Sequence, residues 1–353
     1  MSARTALVLL VLLAMLGGGA LLYRQQERTQ RPEAADTLGR QLLPELKAAE
    51  VAAIRIAEPQ RTLTVRLKDG RWTLAERADF PADVARVRAF VLQALSLKAG
   101  QSEPLGEKDR ARLELHGEGA TRVAFSSAED KTLGELLVGR KYFRREVDDP
   151  KTARADGRFV LLPAQPERVY LVADPLTQAS AASADWIDRT SFQVEKVKTL
   201  EVRYPDGGGW RIERDGDNAD WRLAGARPGE KVDVARANSA SYSLSLLELA
   251  DVAPPGAKQT GLEQPTVIEA TTLEGLAYVI RVGRLEGENY FVTFSATGAL
   301  RPIDKDAERL KKVEERLAHE KLLAQHVLLV PRSKLEDTLK KRAELLEAKD
   351  TKK

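Results

Sequence analysis

The stretch "GRWTLAERADFPADVAR" (Gly70–Arg86) has a counterpart far along the chain, "ADWRLAGARPGEKVDVAR" (Ala219–Arg236). Each runs Trp-x-Leu, a polar turn containing proline, then Asp-Val-Ala-Arg. Around the first of them the pattern is that of strands. "VAAIRIA" sets Ile54 and Ile56 at a period of two, and "TLTVRLKDGRWTL" places Leu63, Val65 and Leu67 before Asp69-Gly70, with Trp72 and Leu74 after it. Asp-Gly is the favoured pair for a two-residue hairpin turn. In that register Leu67 faces Trp72 and Val65 faces Leu74, so the apolar side chains share one face. A helix follows in "DVARVRAFVLQALSL", where Val84, Val87, Val91 and Leu95 recur at helical spacing with Phe90 and Ala94, and Arg86 and Arg88 face out. That stripe is expected to cover the Trp face of the hairpin. Three further strand-like runs, "TRVAFSS", "TLGELLVGR" and "GRFVLL" with "RVYLVAD", close the unit.

The second copy keeps the order. "VKTLEVRY" and "WRIER" flank a turn-rich "PDGGG", "DWRLAG" supplies Trp221 and Leu223, and "DVARANSASYSLSLLEL" takes the helix position. "TVIEATTLEG", "LAYVIRVGR" and "NYFVTFSA" follow as strands. Asp83 recurs as Asp233 and Val138-Gly139-Arg140 as Val282-Gly283-Arg284, in one order and at nearly equal separation, which points to tandem duplication. The expected fold class is therefore α+β: an N-terminal transmembrane helix, two tandem copies of a β-meander, helix and β-strand domain, and a helical C-terminal tail. The expected boundaries are 1–24 for the anchor, 25–47 for a juxtamembrane spacer with Pro32 and Pro44, 48–183 and 184–300 for the copies, and 301–353 for the tail. Trp72 and Trp221, at strand positions beside apolar partners, read as core residues.

Over roughly residues 48–300 these features resemble a bacterial family of domains of unknown function. The features are the Trp-x-Leu with its proline-containing turn and helix, "TGLEQPTVIEA", the Val-Gly-Arg strand ends, and "ADWIDRTSFQVEKVKTLEV" opening the second copy. Members of that family are membrane-anchored proteins described as auxiliary components of an uncharacterised ABC-type transport system linked to gliding motility. The resemblance implies such a role here, with ABC transporter subunits as partners. Its motifs are patterns of fold, so it carries over no catalytic residue. The second helix, "NSASYSLSLLEL", departs from the first in being serine-rich and less amphipathic.

Composition narrows the chemistry. Basic and acidic residues number 56 and 53, a net charge of +3, so there is no electrostatic case for nucleic acid. There is no cysteine, which removes disulfides, thiolate metal sites and a cysteine nucleophile. The only histidines are His116, His319 and His326. "TALVLLVLLAMLGGGALLY" (Thr5–Tyr23) is free of charge between Arg4 and Arg24 and would span about 28 Å as a helix, close to the hydrocarbon thickness. It reads as an uncleaved single-pass anchor in the cytoplasmic membrane. Gly18-Gly19-Ala20 also offers a cleavage register, but the apolar run continues through Leu21 and Leu22. Arg24, Arg28 and Arg31 would keep the body inside by the positive-inside rule. The four-residue tail ahead of the apolar run resembles an export signal, and the body is expected outside the cytoplasm.

In the tail, "DKDAERLKKVEERLAHEKLLAQ" is helical with Ala307, Leu310, Val313 and Leu317 on a narrow stripe, and "HVLLVP" suits a short strand. "SKLEDTLKKRAELLEAKD" opens on Ser333-x-x-Glu336, a capping box for a last helix with Leu335, Leu339, Leu345 and Leu346 on its apolar side. No phosphate-cradling loop, Gly-x-Ser-x-Gly elbow, Ser-x-x-Lys or His-Glu-x-x-His occurs. His319 and His326, seven apart, could share a helix face, yet Pro331 and the apolar run crowd that end; His116 sits in a turn-like "LHGEGA". No catalytic, cofactor or metal residue is assigned and no cofactor is expected. The most suggestive polar cluster is "RKYFRREVDDPKTARADGR" (Arg140–Arg158), with Asp148, Asp149 and Asp156 among five arginines, longer than a hairpin needs. Read as a solvated loop, its charges compensate one another; read as functional, it meets a protein or polyanion. The expected function is a non-enzymatic auxiliary or scaffold protein of an ABC-type export complex. The alternatives are an envelope hydrolase using carboxylates near Asp148 and Asp149, and a ligand-binding module with a site between the copies.

Overall fold

The quoted hairpin forms in the register its sequence demands. In the computed structural model, which describes residues 38–116, 119–150, 152–298 and 307–347, β2 (Arg61–Lys68) and β3 (Arg71–Leu74) pair with Leu67 opposite Trp72 and Val65 opposite Leu74. Asp69 and Gly70 take φ of 50° and 75°, the left-handed pair that a type I′ turn requires.

The strand-like runs become two antiparallel sheets. The first is built from β1 (Ala53–Glu58), β2, β3, β4 (Phe80–Pro81), β5 (Gln101–Pro104), β6 (Thr121–Ser126), β7 (Thr132–Tyr142), β8 (Gly157–Leu161) and β9 (Arg168–Val172), in the order β4-β3-β2-β1-β6-β7-β8-β9-β5. The second uses β10 (Val197–Arg203), β11 (Gly209–Glu213), β12 (Arg222–Leu223), β13 (Asp251–Val252), β14 (Thr266–Thr272), β15 (Leu276–Glu286), β16 (Asn289–Gly298) and β17 (Leu328–Pro331), in the order β12-β11-β10-β14-β15-β16-β17-β13. With β4 set aside, the two orders are the same strand for strand. Helices are few: α1 (Val84–Ser96), α2 (Glu107–Arg112), α3 (Val234–Tyr242), α4 (Ala307–Leu323) and the single turn α5 (Arg332–Leu335).

The protein is thus mostly β, and the α+β expectation is corrected. Two helices in the first copy and three in the second, most of them short, stand against nine and eight strands, because the short runs between the predicted strands also pair at the sheet edges. In the tail the first expected helix forms as α4 and "HVLLVP" as β17, but the expected last helix is corrected. Pro331, not Ser333, precedes α5, the Ser333–Glu336 box does not form, and the chain turns to place Leu335 and Leu345 in the interior and Leu346 against Val232. Tertiary burial of those leucines outweighs the local helical pattern. Among the described residues no helix is long and apolar enough to cross a membrane. The transmembrane helix expected at Thr5–Tyr23 lies outside the described residues, so the fold gives it no support.

Contacts divide the chain into two compact units, one of the described residues up to Arg61 with Ala89–Ser180, the other of Thr62–Arg88 with the described residues from Ala181 onward. In the first, cross-strand pairs such as Ile54–Phe125, Ile56–Val123 and Val138–Val160 line one buried face, and Phe90 of α1 meets Phe125 with ring centroids 5.8 Å apart. The opposite face carries a smaller cluster of Leu105, Leu113, Leu115, Leu161 and Val169, with Leu137 and Phe159 packed on it. In the second unit Val202–Ile268–Ile280–Phe294 run across the strands, and Phe192 stacks on Phe294 at 4.0 Å. Each such side chain contributes about 1.5–3 kcal/mol on burial.

The duplicated motifs now have causes. Asp83 and Asp233, opening each Asp-Val-Ala-Arg, cap their helices: Asp83 Oδ1 accepts from the amides of Ala85 and Arg86, and Asp233 Oδ1 from that of Arg236. Their own amides donate to Trp186 O and Leu345 O. Gln41 bridges Lys98 just as Thr190 bridges Glu248, so residues before position 48 already take part in the first copy and the last described residues in the second. Two expectations about α1 shift. Val84 is exposed, and Arg86 is half-buried with its guanidinium 4.9 Å above the ring of fully buried Trp186. Trp221 is buried as expected; Trp72 is only half-buried, because it stands near the turn end of the hairpin, where its partner Leu67 is exposed too.

Val-Gly-Arg is the most constrained motif. A Cβ on Gly139 would lie 2.3 Å from the carbonyl oxygen of Leu113, and one on Gly283 2.2 Å from that of Thr260. The next amide, of Arg140 or Arg284, donates to that same carbonyl at 2.8 Å. Both strands carry a bulge at this point, between Val138 and Lys141 and between Val282 and Leu285. Gly139→Ala and Gly283→Ala should each destabilise the protein by about 1–3 kcal/mol in thermal or urea unfolding. Gly216→Ala, whose Cβ meets open space, should leave the midpoint unchanged; equal effects at all three positions would contradict the close-approach account.

Candidate functional site

Two copies of one topology act as internal controls: what both share the fold requires, and what only one carries is additional. The second copy turns from β15 to β16 through Gly287 and Glu288 alone, whereas the first inserts residues 143–156 between β7 and β8. The first passes from β8 to β9 by a short turn, whereas the second inserts α4 between β16 and β17.

The first insertion is the arginine- and aspartate-rich stretch singled out by the sequence. Its base is closed by the amide of Asp156 donating to Tyr142 O and by Lys141 Nζ donating to the carbonyls of Pro150 and Ala153, at 3.1 and 3.3 Å. The aspartates do not converge. Asp149 accepts from the Thr152 hydroxyl at 2.9 Å, Asp156 accepts from the Arg144 amide at 2.9 Å, and Asp148 is exposed. No group of three or more histidines or carboxylates arranged to hold a metal occurs among the described residues. Of the arginines, Arg158 lies on the face away from Phe159; it is half-buried, burial holds its guanidinium below the ordinary arginine range, and the Glu114 charge opposes that shift. Arg140, Arg144 and Arg145 are exposed, and no carboxylate pairs with them among the described residues.

Beneath these arginines lies a groove on the small-cluster face of the first unit. It has two cavities, one of about 220 Å³ along β5 and β9 and one of about 560 Å³ under the insertion. They share Arg112, Leu113, Tyr142 and Phe159. Strand alternation explains the lining: Phe159 pairs with Leu171, and Leu171 with Gln101, so their side chains project to one side. Tyr142 meets Phe159 edge-on at 5.9 Å. Arg112 is held by Asp109 at 2.9 Å. Glu103 also lines the smaller cavity, and its carboxylate accepts from Gln101 Nε2 at 2.7 Å. The groove thus has an apolar floor, a basic mouth and the polar Gln101–Glu103 pair along β5, and among the described residues that line it no nucleophile is hydrogen-bonded to a base. The sequence flagged the mouth but not the floor: α2, β5 and Leu113 carry no periodic signal, and the one available hint was the repeated Val-Gly-Arg beside unequal loops.

The histidines are dispersed. His116 is exposed in a turn closed by the Gly119 amide. His326 lies beyond the end of α4, edge-on to Phe80 at 5.1 Å, where burial lowers its pKa, so it does not share a helix face with His319. A buried polar network does exist on α4. Glu320, 1% exposed, accepts from the Tyr278 hydroxyl at 2.9 Å and the Gln193 amide at 3.0 Å, and Arg316 bridges it to Glu195. These partners satisfy the carboxylate from within and fasten the inserted helix to its sheet. Burial pushes the Glu320 carboxyl up and likewise the Tyr278 phenol. A carboxyl raised in the folded state gives its full stability below the ordinary value of 4.5 and loses it as pH rises through the folded value. The urea midpoint of the protein should therefore fall relative to that of Glu320→Gln as pH is raised above 4.5; a difference flat across that window would contradict this assignment.

Comparison with known proteins places the chain. The family model described as "Domain of unknown function (DUF4340)" matches residues 72–265, so the chain belongs to that family. Every groove residue lies within the matched region. No curated protein and no solved structure matches it.

Proposed function

We propose that this member of the DUF4340 family is a non-catalytic accessory protein of an ABC-type transport complex, acting by binding rather than by chemistry. The observation that carries the binding half is the insertion at 143–156, present in one copy only, whose Arg144 and Arg145 join Arg140 of β7 beside an apolar-floored groove, none of the three paired with a carboxylate among the described residues. A carboxylate-based hydrolase is poorly served by this site, since Asp149 and Asp156 are engaged by their own loop. The transporter half rests on the family resemblance; a position at the cytoplasmic membrane with the body outside rests on the charge-free run before Arg24 and the short tail ahead of it.

A photo-crosslinking residue placed at Arg145 in the full-length protein in cells tests both halves. The expected product contains a subunit of an ABC-type transporter, and its yield drops about tenfold, equivalent to about 1.4 kcal/mol, when Arg140 and Arg144 are changed to glutamine. Repeated recovery of products lacking any transporter subunit would overturn the transporter assignment. An undiminished yield in the double variant would overturn the groove as the contact.

A further inference from the structure

The second copy shows what the first lacks. Arg284, the counterpart of Arg140, lies with its guanidinium 5.9 Å from the ring centre of Phe291 and donates to Glu286 Oε1 at 3.0 Å. Phe291 corresponds to Phe159, since Val160 and Val292 pair with the equivalent Val138 and Val282. Glu286 stands two residues after its arginine; at that place the first copy has Tyr142, which turns its edge to Phe159. So the second copy supplies its arginine with a carboxylate from its own strand, and the first fills the position with a ring.

We propose that the groove of the first unit binds an acidic peptide segment of a protein partner, with a carboxylate on Arg140, as Glu286 lies on Arg284, and one large apolar side chain against Tyr142 and Phe159. Three observations shape the occupant. The charge at the mouth is basic: Arg140, Arg144 and Arg145 have no side-chain carboxylate partner among the described residues; Glu146 is the one acid that lines the wide cavity with them, and Asp156 is turned to the Arg144 amide. Arginine forks suit carboxylates, and at an open mouth they steer and orient a partner. The smaller cavity, about 220 Å³, is of the size of a single side chain, and the exposed, hydrogen-bonded Gln101–Glu103 pair lines it, a polar and charged neighbour unfavourable to a long acyl chain. Glu103 also repels a carboxylate from that cavity, so the acidic part of the segment sits at the mouth. This inference rests on the binding reading above and names the chemistry of the partner.

The test uses the full-length protein and fluorescein-labelled ten-residue peptides, each of glutamates around one central phenylalanine, leucine or tryptophan, read by fluorescence anisotropy. Expected are saturable binding of at least one peptide, weakening with added salt, and a loss of about tenfold in affinity with the Arg140→Gln, Arg144→Gln, Arg145→Gln triple variant. A peptide with serine at the centre, and one with glutamine in place of glutamate, should bind as weakly as the triple variant does. Arg284→Gln should bind as the unaltered protein does, which separates the groove from general charge. Binding that is the same in the triple variant, equal binding of the glutamine peptide, or no binding by any of the three up to about 1 mM would overturn the proposal. Arginine-dependent binding to phosphatidylglycerol vesicles with none to the peptides would overturn it also, in favour of a lipid. If the peptides fail while the Arg145 crosslink to a transporter subunit persists, the ligand chemistry falls and the accessory role stands; the reverse result leaves the peptide groove and removes the transporter.

Discussion

A backbone carbonyl pressed against a glycine is the constraint on which the rest turns. Where Leu113 O meets Gly139, and Thr260 O meets Gly283, no side chain can stand, and the following arginine must bond its amide to the same oxygen. This contact brings the segment before β6 or β14 across the longest strand of each sheet. It also bulges that strand, so that its end leaves the regular register. In the first copy the end beyond the bulge carries Arg140, Tyr142 and the insertion, while the crossing segment contributes Arg112 and Leu113. One close approach therefore assembles both walls of the groove from residues far apart in sequence.

Each copy has enlarged the shared topology at a different turn. The second accommodates its added helix by burying charge, with Glu320 held by Tyr278, Gln193 and Arg316 inside the protein. Buried charge is tolerated only when it is matched from within, as it is there. The first copy did the opposite: its inserted Arg144 and Arg145 remain in solvent with no carboxylate paired to them among the described residues, where hydration makes exposure inexpensive and leaves them available to a partner.

Charge balance over the whole chain conceals this difference. A net charge of +3 leaves no overall basic surplus, and many arginines sit in local pairs, such as Arg66 with Asp79 and Arg342 with Glu230. The latter pair, with the Arg227 amide, pulls the Glu230 carboxyl down to about 2. Local surplus, not overall composition, marks the groove.

The sequence by itself determined the elements whose information is local. Alternating apolar residues and Asp69-Gly70 dictate the hairpin and its register, because turn geometry and strand period act over a few residues. The repeated Trp-x-Leu and Asp-Val-Ala-Arg disclosed the duplication, and Asp83 and Asp233 are local caps. Only the tertiary structure decided what depends on distant partners. It made edge strands of β5 and β13, which have no pattern of their own, and it drew the leucines of an apparently helical tail into the second copy. It buried Trp186 rather than Trp72, and put a glutamate on the inner face of α4. The groove belongs to this second class, for its floor and mouth come from α2, β5, β7, β8 and β9, and no local rule links the residues that meet there.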